Sequence, residues 1–126
     1  MILDTSAIVA ILQEEPEAQA FAELIAGADL VRISVATVLE ASLVVGPARQ
    51  DLLDEFLAVA RTVPVAIDDQ QLQIARAAHL KYGRGSRSPA RLNYGDCFAY
   101  ALAIATDEPL LFKGSDFIHT DVHAAA

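Results

Sequence analysis

Short apolar runs alternate with longer helical stretches along the whole chain, and that alternation is its tightest constraint. "MILD", "DLVRIS", "VPVAI" and "PLLF" are too short for ordinary helices and read as strands. Helical patterns fill 5–13, 16–27, 34–46, 48–61, 68–83 and 93–106 between them. Ser34, Asp68 and Asn93 are good starts, and Pro16 suits a first turn. Gly27, Gly46 with Pro47, and Gly83 are stops. "RGSRSPAR", 84–91, reads as a loop and "GSDF" as a turn. A last short strand is expected near "TDV", before an alanine-rich end that frays. Strands joined by whole helices pair in parallel, with helices covering the sheet. The expected fold is α/β in three layers, a central, mostly parallel sheet of four to five strands flanked by helices, with residues 1–126 forming one domain.

Composition narrows the function classes. Hydrophobic residues make up 54% of the 126, enough for a core, and charged residues only 21%, too few for a disordered chain. No apolar run reaches the roughly 18 residues that span a bilayer, so no membrane role is expected. "MILDTSAIVA" lacks a basic leader and carries an acid at position 4, unlike a signal peptide. With Cys97 the one cysteine, no internal disulfide forms and a cytoplasmic protein is expected. The net charge of −8 argues against a general nucleic-acid binder. The charge is uneven, however. Lys81, Arg84, Arg87 and Arg91 cluster, whereas Asp4, Glu14, Glu15, Glu17, Glu23 and Asp29 crowd the first thirty positions. The acidic end suits either a basic partner or plain solvent.

Four acids stand out against this pattern. Glu40 lies in "VATVLEASLVV", where 8 of 11 residues are apolar, so the helix reads as buried on most faces. An unpaired carboxylate there costs several kcal/mol, so Glu40 is paired, protonated or a ligand, unless Thr37 and Glu40 share an exposed stripe. Asp96 falls at the third position of a helix capped by Asn93, where an acid favours the helix dipole. Asp4 ends the first strand, as a ligand or a cap, and Thr5 and Ser6 compete for the capping role. Asp116 lies four residues past "PLLF" and is a ligand or a turn residue. Ligands of parallel α/β sheets bind beyond the carboxyl ends of the strands. A carboxylate cluster at that edge is tolerable when a divalent cation neutralises it, and oxygen-only ligands select Mg²⁺ or Mn²⁺. No His/Cys spacing suits zinc.

These residues resemble the PIN-domain ribonucleases and, within them, VapC-like toxins of type II toxin–antitoxin modules. The resemblance spans nearly the whole chain. "MILDTSAIVAIL" is similar to the family's first motif, with Asp4 its acid; "SVATVLEASLVV" to the second, with Glu40; "LNYGDCFAYALAIA" to the third, with Asp96. "EPLLFKGSDF" resembles the last motif. There the sequence departs from the commoner pattern: Gly114 stands where many relatives have an acid, leaving Asp116 as the fourth candidate. The resemblance implies a PIN-like fold and Mg²⁺- or Mn²⁺-dependent endonucleolytic cleavage of structured RNA, tRNA or rRNA, through a metal-activated water. It also implies products with 3′-hydroxyl and 5′-phosphate ends, a homodimer, and a cognate VapB-like antitoxin in a heterotetramer or larger assembly. Catalytic and metal-binding roles fall to Asp4, Glu40, Asp96 and Asp116.

Ser6, Arg84, Arg87, Arg91 and Lys113 are candidate contacts to RNA phosphates, which orient a substrate without specifying its sequence. Tyr94 and Tyr100 read as packing, with base stacking by Tyr94 the alternative. Cys97 reads as a small buried residue, and His79 and His119 as helix-end or surface residues. A receiver-like phospho-acceptor shares the α/β plan, but its acids sit as a pair at the first strand's end, and Asp4 stands alone. A catalytically silent antitoxin-binding protein is the remaining alternative.

Overall fold

The computed structural model describes every residue, Met1 to Ala126. Four short strands, β1 (Ile2–Leu3), β2 (Val31–Ser34), β3 (Thr62–Val65) and β4 (Leu110–Leu111), form one sheet in the order β3-β2-β1-β4. Every pairing is parallel, with Ile2 against Arg32 on one side and Leu110 on the other. The helices are α1 (Thr5–Leu12), α2 (Ala18–Gly27), α3 (Val35–Val45), α4 (Gln50–Val59), α5 (Asp69–Tyr82) and α6 (Tyr94–Thr106).

The pleat explains why two-residue strands suffice. Successive side chains of a strand face opposite sides. Ile2 and Leu110 enter the core beneath α5 and α6, with Leu102 and Tyr100. Leu3 and Leu111 enter the other, with Ile8 of α1, Phe21 of α2 and Leu53 of α4. Each central strand thus nails two cores together, as expected of a parallel sheet covered on both faces. β3 is an edge strand, which is why Pro64 is tolerated in it.

Local chemistry sets the element ends. Ser34 caps α3, accepting the Ala36 N–H at 3.3 Å. Gly46 ends that helix at φ +79°, a conformation open to glycine at little cost. Asp68 caps α5, accepting the Gln71 N–H at 2.8 Å.

Some expectations shift. The helix expected from Pro16 starts at Ala18, and 48–61 divides into a 3₁₀ turn at Pro47–Arg49 and then α4. The tail does not pair at "TDV", and its end is not frayed: Ala124 bridges to Leu110 in parallel, and the Ala125 N–H donates to the Leu110 carbonyl at 2.9 Å. Leu110 carries open backbone groups on the sheet's edge, and the tail is the chain near enough to satisfy them. α3 is not buried on most faces, since Leu39 and Leu43 are 63% and 74% exposed. No helix is long and apolar enough to cross a membrane.

Candidate active site

The chain runs from β1 to β2 to β3 on one side, then returns to place β4 on the other side of β1. The gap between the ends of β1 and β4 is therefore the topological switch point, where open α/β sheets bind ligands. Asp4 leaves the end of β1, and Asp116 lies in the segment that follows β4.

Asp4 is the N-cap of α1. Its Oδ2 accepts the Ser6 N–H at 2.9 Å and the Ser6 hydroxyl at 2.6 Å. Its Oδ1 is buried and has no hydrogen-bond partner. Burial pushes the Asp4 carboxyl above its ordinary pKa, the Ser6 bonds oppose this, and the negative charge of Glu40 adds to it. Leaving such an oxygen orphaned costs on the order of 1–3 kcal/mol, and it also leaves a free ligand atom.

The capping reading of Asp96 holds, and it leaves room for the other. Its Oδ2 accepts the Asn93 N–H at 3.0 Å while the Asn93 Oδ1 accepts the Asp96 N–H at 2.8 Å, a complete capping box. The cap fixes the carboxylate, and Oδ1 makes no hydrogen bond within the protein. Asp96 is buried, and its pKa is raised to about 7. Burial contributes most, then the charges of Asp4, Asp116 and Glu40, against the lowering bond from Asn93. The four acids predicted from separate segments thus share one electrostatic field. Asp116 forms its exposed rim.

Glu40 does not lie on an exposed stripe, because Thr37 is buried. The Thr5 hydroxyl donates to Glu40 Oε1. On the other side stands Gly95, where any β-carbon would overlap the Glu40 carboxylate. Sequence reasoning overlooked Gly95. The signal was available: glycine in a helix costs about 1 kcal/mol against alanine, so one inside the first turn of α6 calls for a packing reason.

The candidate substrate contacts are placed less uniformly. The Ser6 hydroxyl gives its only proton to Asp4 and accepts the Lys113 N–H at 2.9 Å, so it ties the end of β1 to the residue after β4. Ser6→Ala should cost about 1–3 kcal/mol, read as a lower urea midpoint, because it strips the buried Asp4 carboxylate of one of its two donors. The Lys113 ammonium is taken by Glu15 and Glu17 at 2.7 and 3.0 Å and is not a free cation. Arg84, Arg87 and Arg91 are exposed on the 84–91 loop with no carboxylate within ion-pair distance. Tyr100 packs as expected, its hydroxyl donating to Asp121 at 2.6 Å. Tyr94 does not: it is 83% exposed. Cys97 is buried, and burial beside Asp96 pushes its thiol up, away from nucleophile chemistry.

As placed, no three of the acids close into a ready-made metal cage. Each has an oxygen or a flank held by a neighbour: Asp4 by Ser6, Glu40 by Thr5 and Gly95, Asp96 by Asn93. An open, all-oxygen set with an orphaned buried oxygen fits a hard cation that keeps several of its own waters, as Mg²⁺ does. It does not fit zinc, which wants nitrogen or sulfur in a closed tetrahedron.

A parallel sheet with acids beyond the carboxyl ends of its central strands defines a class, open α/β proteins with a candidate site at the topological switch point. Known proteins narrow it further. The PIN domain family matches residues 1–122. Ribonuclease VapC28 of Mycobacterium tuberculosis is 48% identical over 129 residues, covering 99% of this chain and 97% of that one. Ribonuclease VapC of Mycolicibacterium smegmatis is 44% identical over 128 residues, covering 98% of each. A toxin-antitoxin complex from Klebsiella pneumoniae has the same fold, with a TM-score of 0.71 at 19% identity, over 95% of this chain and 92% of that one. VapBC2 from Rickettsia felis, bound to a DNA fragment from its promoter, gives 0.67 at 18% identity, over 93% and 89%. The chain belongs to the PIN-domain family.

Proposed function

We propose that this chain is a Mg²⁺- or Mn²⁺-dependent endoribonuclease, the toxin of a type II toxin–antitoxin pair, cutting structured RNA such as tRNA or rRNA. The observation that carries the reading is the meeting of three segments at the sheet's switch point: Thr5, next to Asp4, donates to the Glu40 carboxylate, and that carboxylate abuts Gly95, next to Asp96. Three segments far apart in sequence have no folding reason to bring like charges together, and a cation gives them one. The relatives' names, Ribonuclease VapC28 and Ribonuclease VapC, supply the substrate class.

Asp4, Glu40 and Asp96 would hold the ion, with Asp116 supporting it or a water from the open side. When bound, such an ion supplies Lewis acidity toward water and phosphate. The chain's own residues position and tune. Ser6 and Thr5 orient the Asp4 and Glu40 carboxylates, Gly95 leaves room for Glu40, and the capping box holds Asp96 by one oxygen and leaves the other without a partner. Burial holds the proton on Asp96 up to about pH 7, so a cation held there would bind more tightly as pH rises through that range. The exposed cations of the 84–91 loop would meet RNA phosphates, with salt-sensitive affinity.

Partners fit the same reading: a VapB-like antitoxin, and a homodimer that forms a heterotetramer or larger assembly with it. The solved neighbours are toxin–antitoxin assemblies. Apolar side chains left open on α3 and α4, among them Leu39, Leu43 and Val59, support a chain that works with partners.

The test is incubation of the purified chain with total RNA. Cleavage is expected with Mg²⁺ or Mn²⁺, none with EDTA, and recovery when Mn²⁺ is restored. Undiminished cutting in EDTA would end the metal reading.

A further inference from the structure

On the far side of α6 from Asp96 lies a cleft of about 880 Å³ between α5, the 83–92 segment and the first turns of α6, within the size range of small-ligand sites. Its lining reverses the sign of the protein. The chain carries 17 acidic residues, yet none lines this cleft, whereas Arg76, His79 and Arg84 do. Neither arginine has a carboxylate within ion-pair distance. Two cations without counterions call for an anionic ligand.

Leu72, Ala75, Leu80 and Leu92 make much of the rest of the lining apolar, and one aromatic ring stands open over it. Tyr94 is 83% exposed, an unusual placement for an aromatic, and stands edge-on to Phe98 with ring centroids 4.9 Å apart and planes at 82°. A ring held by its neighbour with its face open is a stacking platform. Asn93 adds a polar group. Its Oδ1 is fixed by the capping box, so its amide N–H₂ is the end left to donate. An aromatic face, a side-chain donor and two free arginines match the base, base edge and phosphate of a nucleotide. Helical spacing puts Tyr94, Cys97 and Phe98 on one side of α6 and Asp96 on the other. A strand crossing the N-terminal tip of α6 therefore passes from this cleft to the acids.

We propose that the α5–α6 cleft is a nucleotide subsite for single-stranded RNA, with a base stacked on Tyr94 and its phosphate held by Arg76 and Arg84. The proposal rests on the ribonuclease reading and adds to it the place where a flanking nucleotide docks. The open ring of Tyr94 beside the two arginines favours RNA, which supplies base and phosphate together, over a second copy of this chain.

The experiment uses the whole protein in EDTA, with a fluorescein-labelled 12-mer oligoribonucleotide of mixed sequence as the probe and anisotropy as the readout. Tyr94→Ala should weaken binding by about 5- to 100-fold, as expected for loss of one stacked base. Tyr94→Phe should bind like the parent. Arg76→Ala and Arg84→Ala should each flatten the slope of log K against log salt by about 0.7, one phosphate contact on a single strand. If Tyr94→Ala binds the 12-mer like the parent while the parent still cuts RNA, the subsite is overturned and the nuclease reading stands. If Tyr94→Ala turns a dimer into a monomer in sedimentation without changing affinity for the 12-mer, the cleft belongs to a second copy and the proposal also falls. A parent chain that neither binds the 12-mer nor cuts RNA with Mn²⁺ sinks both readings together.

Discussion

Asp96→Asn protein, stripped of divalent ions, should melt higher than the parent chain at pH 8, on the order of 5 °C, and by roughly half as much at pH 5. It should also cut RNA at least about a hundredfold more slowly, since losing even outer partners of a metal site costs 10- to 100-fold. The first effect follows from the direction of the pKa shift. Burial and the charges of Asp4, Asp116 and Glu40 raise the folded pKa from 3.8 to about 7. Below about pH 4 the carboxyl is protonated in both folded and unfolded chains, and folding costs it nothing. Between about 4 and 7 the folded chain holds the proton more tightly, so stability falls as pH rises. Above about 7 the group is ionised in both states and the whole penalty remains. Asparagine keeps an oxygen for the Asn93 N–H and carries no charge, so it removes the penalty without dismantling the cap. Thermal scans at the two pH values check this. Mn²⁺ at pH 8 should raise the parent's melting temperature and leave the variant's nearly unchanged. A parent chain more stable at pH 8 than at pH 5 without metal would contradict the clustered charge.

Gly95→Ala separates the site from the fold. The methyl would occupy the space of the Glu40 carboxylate, which is the tip of a flexible side chain and can swing aside. The helix itself should gain about 1 kcal/mol from the substitution. The melting temperature should therefore hold or rise, while Mn²⁺ affinity by calorimetry falls by about 10- to 100-fold. Adding Glu40→Asp shortens the acid by one methylene and should recover part of that affinity, a non-additive pairing diagnostic of direct contact. Unchanged Mn²⁺ binding in Gly95→Ala would show that Glu40 is not needed where it stands.

Much of this was legible because the chain is locally consistent. Ser34, Asp68 and Asn93 cap the helices their types suit, and the helix–strand alternation dictates a parallel sheet. The acids could be picked out because carboxylates at strand ends or in apolar helices need a reason. What stayed hidden depends on distance. Lys113 is paired with Glu15 and Glu17, almost the whole chain away, and no local pattern announces it. The tail settles on Leu110 because the sheet has an open edge there, a fact of topology rather than of "TDV". Apolar content alone made α3 look buried, whereas Leu39 and Leu43 face outward. Composition counts apolar residues without saying which of them a neighbour covers. The capping and catalytic readings of Asp96 looked exclusive in the sequence, yet one carboxylate has two oxygens, and the cap occupies only one of them.

Anomalous diffraction from crystals soaked in Mn²⁺ tests the central claim most directly. One strong peak is expected at the β1–β4 switch point, bounded by Asp4, Glu40 and Asp96 with Asp116 at its open side. Ordered crystals with no peak there, or with Mn²⁺ bound only elsewhere, would contradict it.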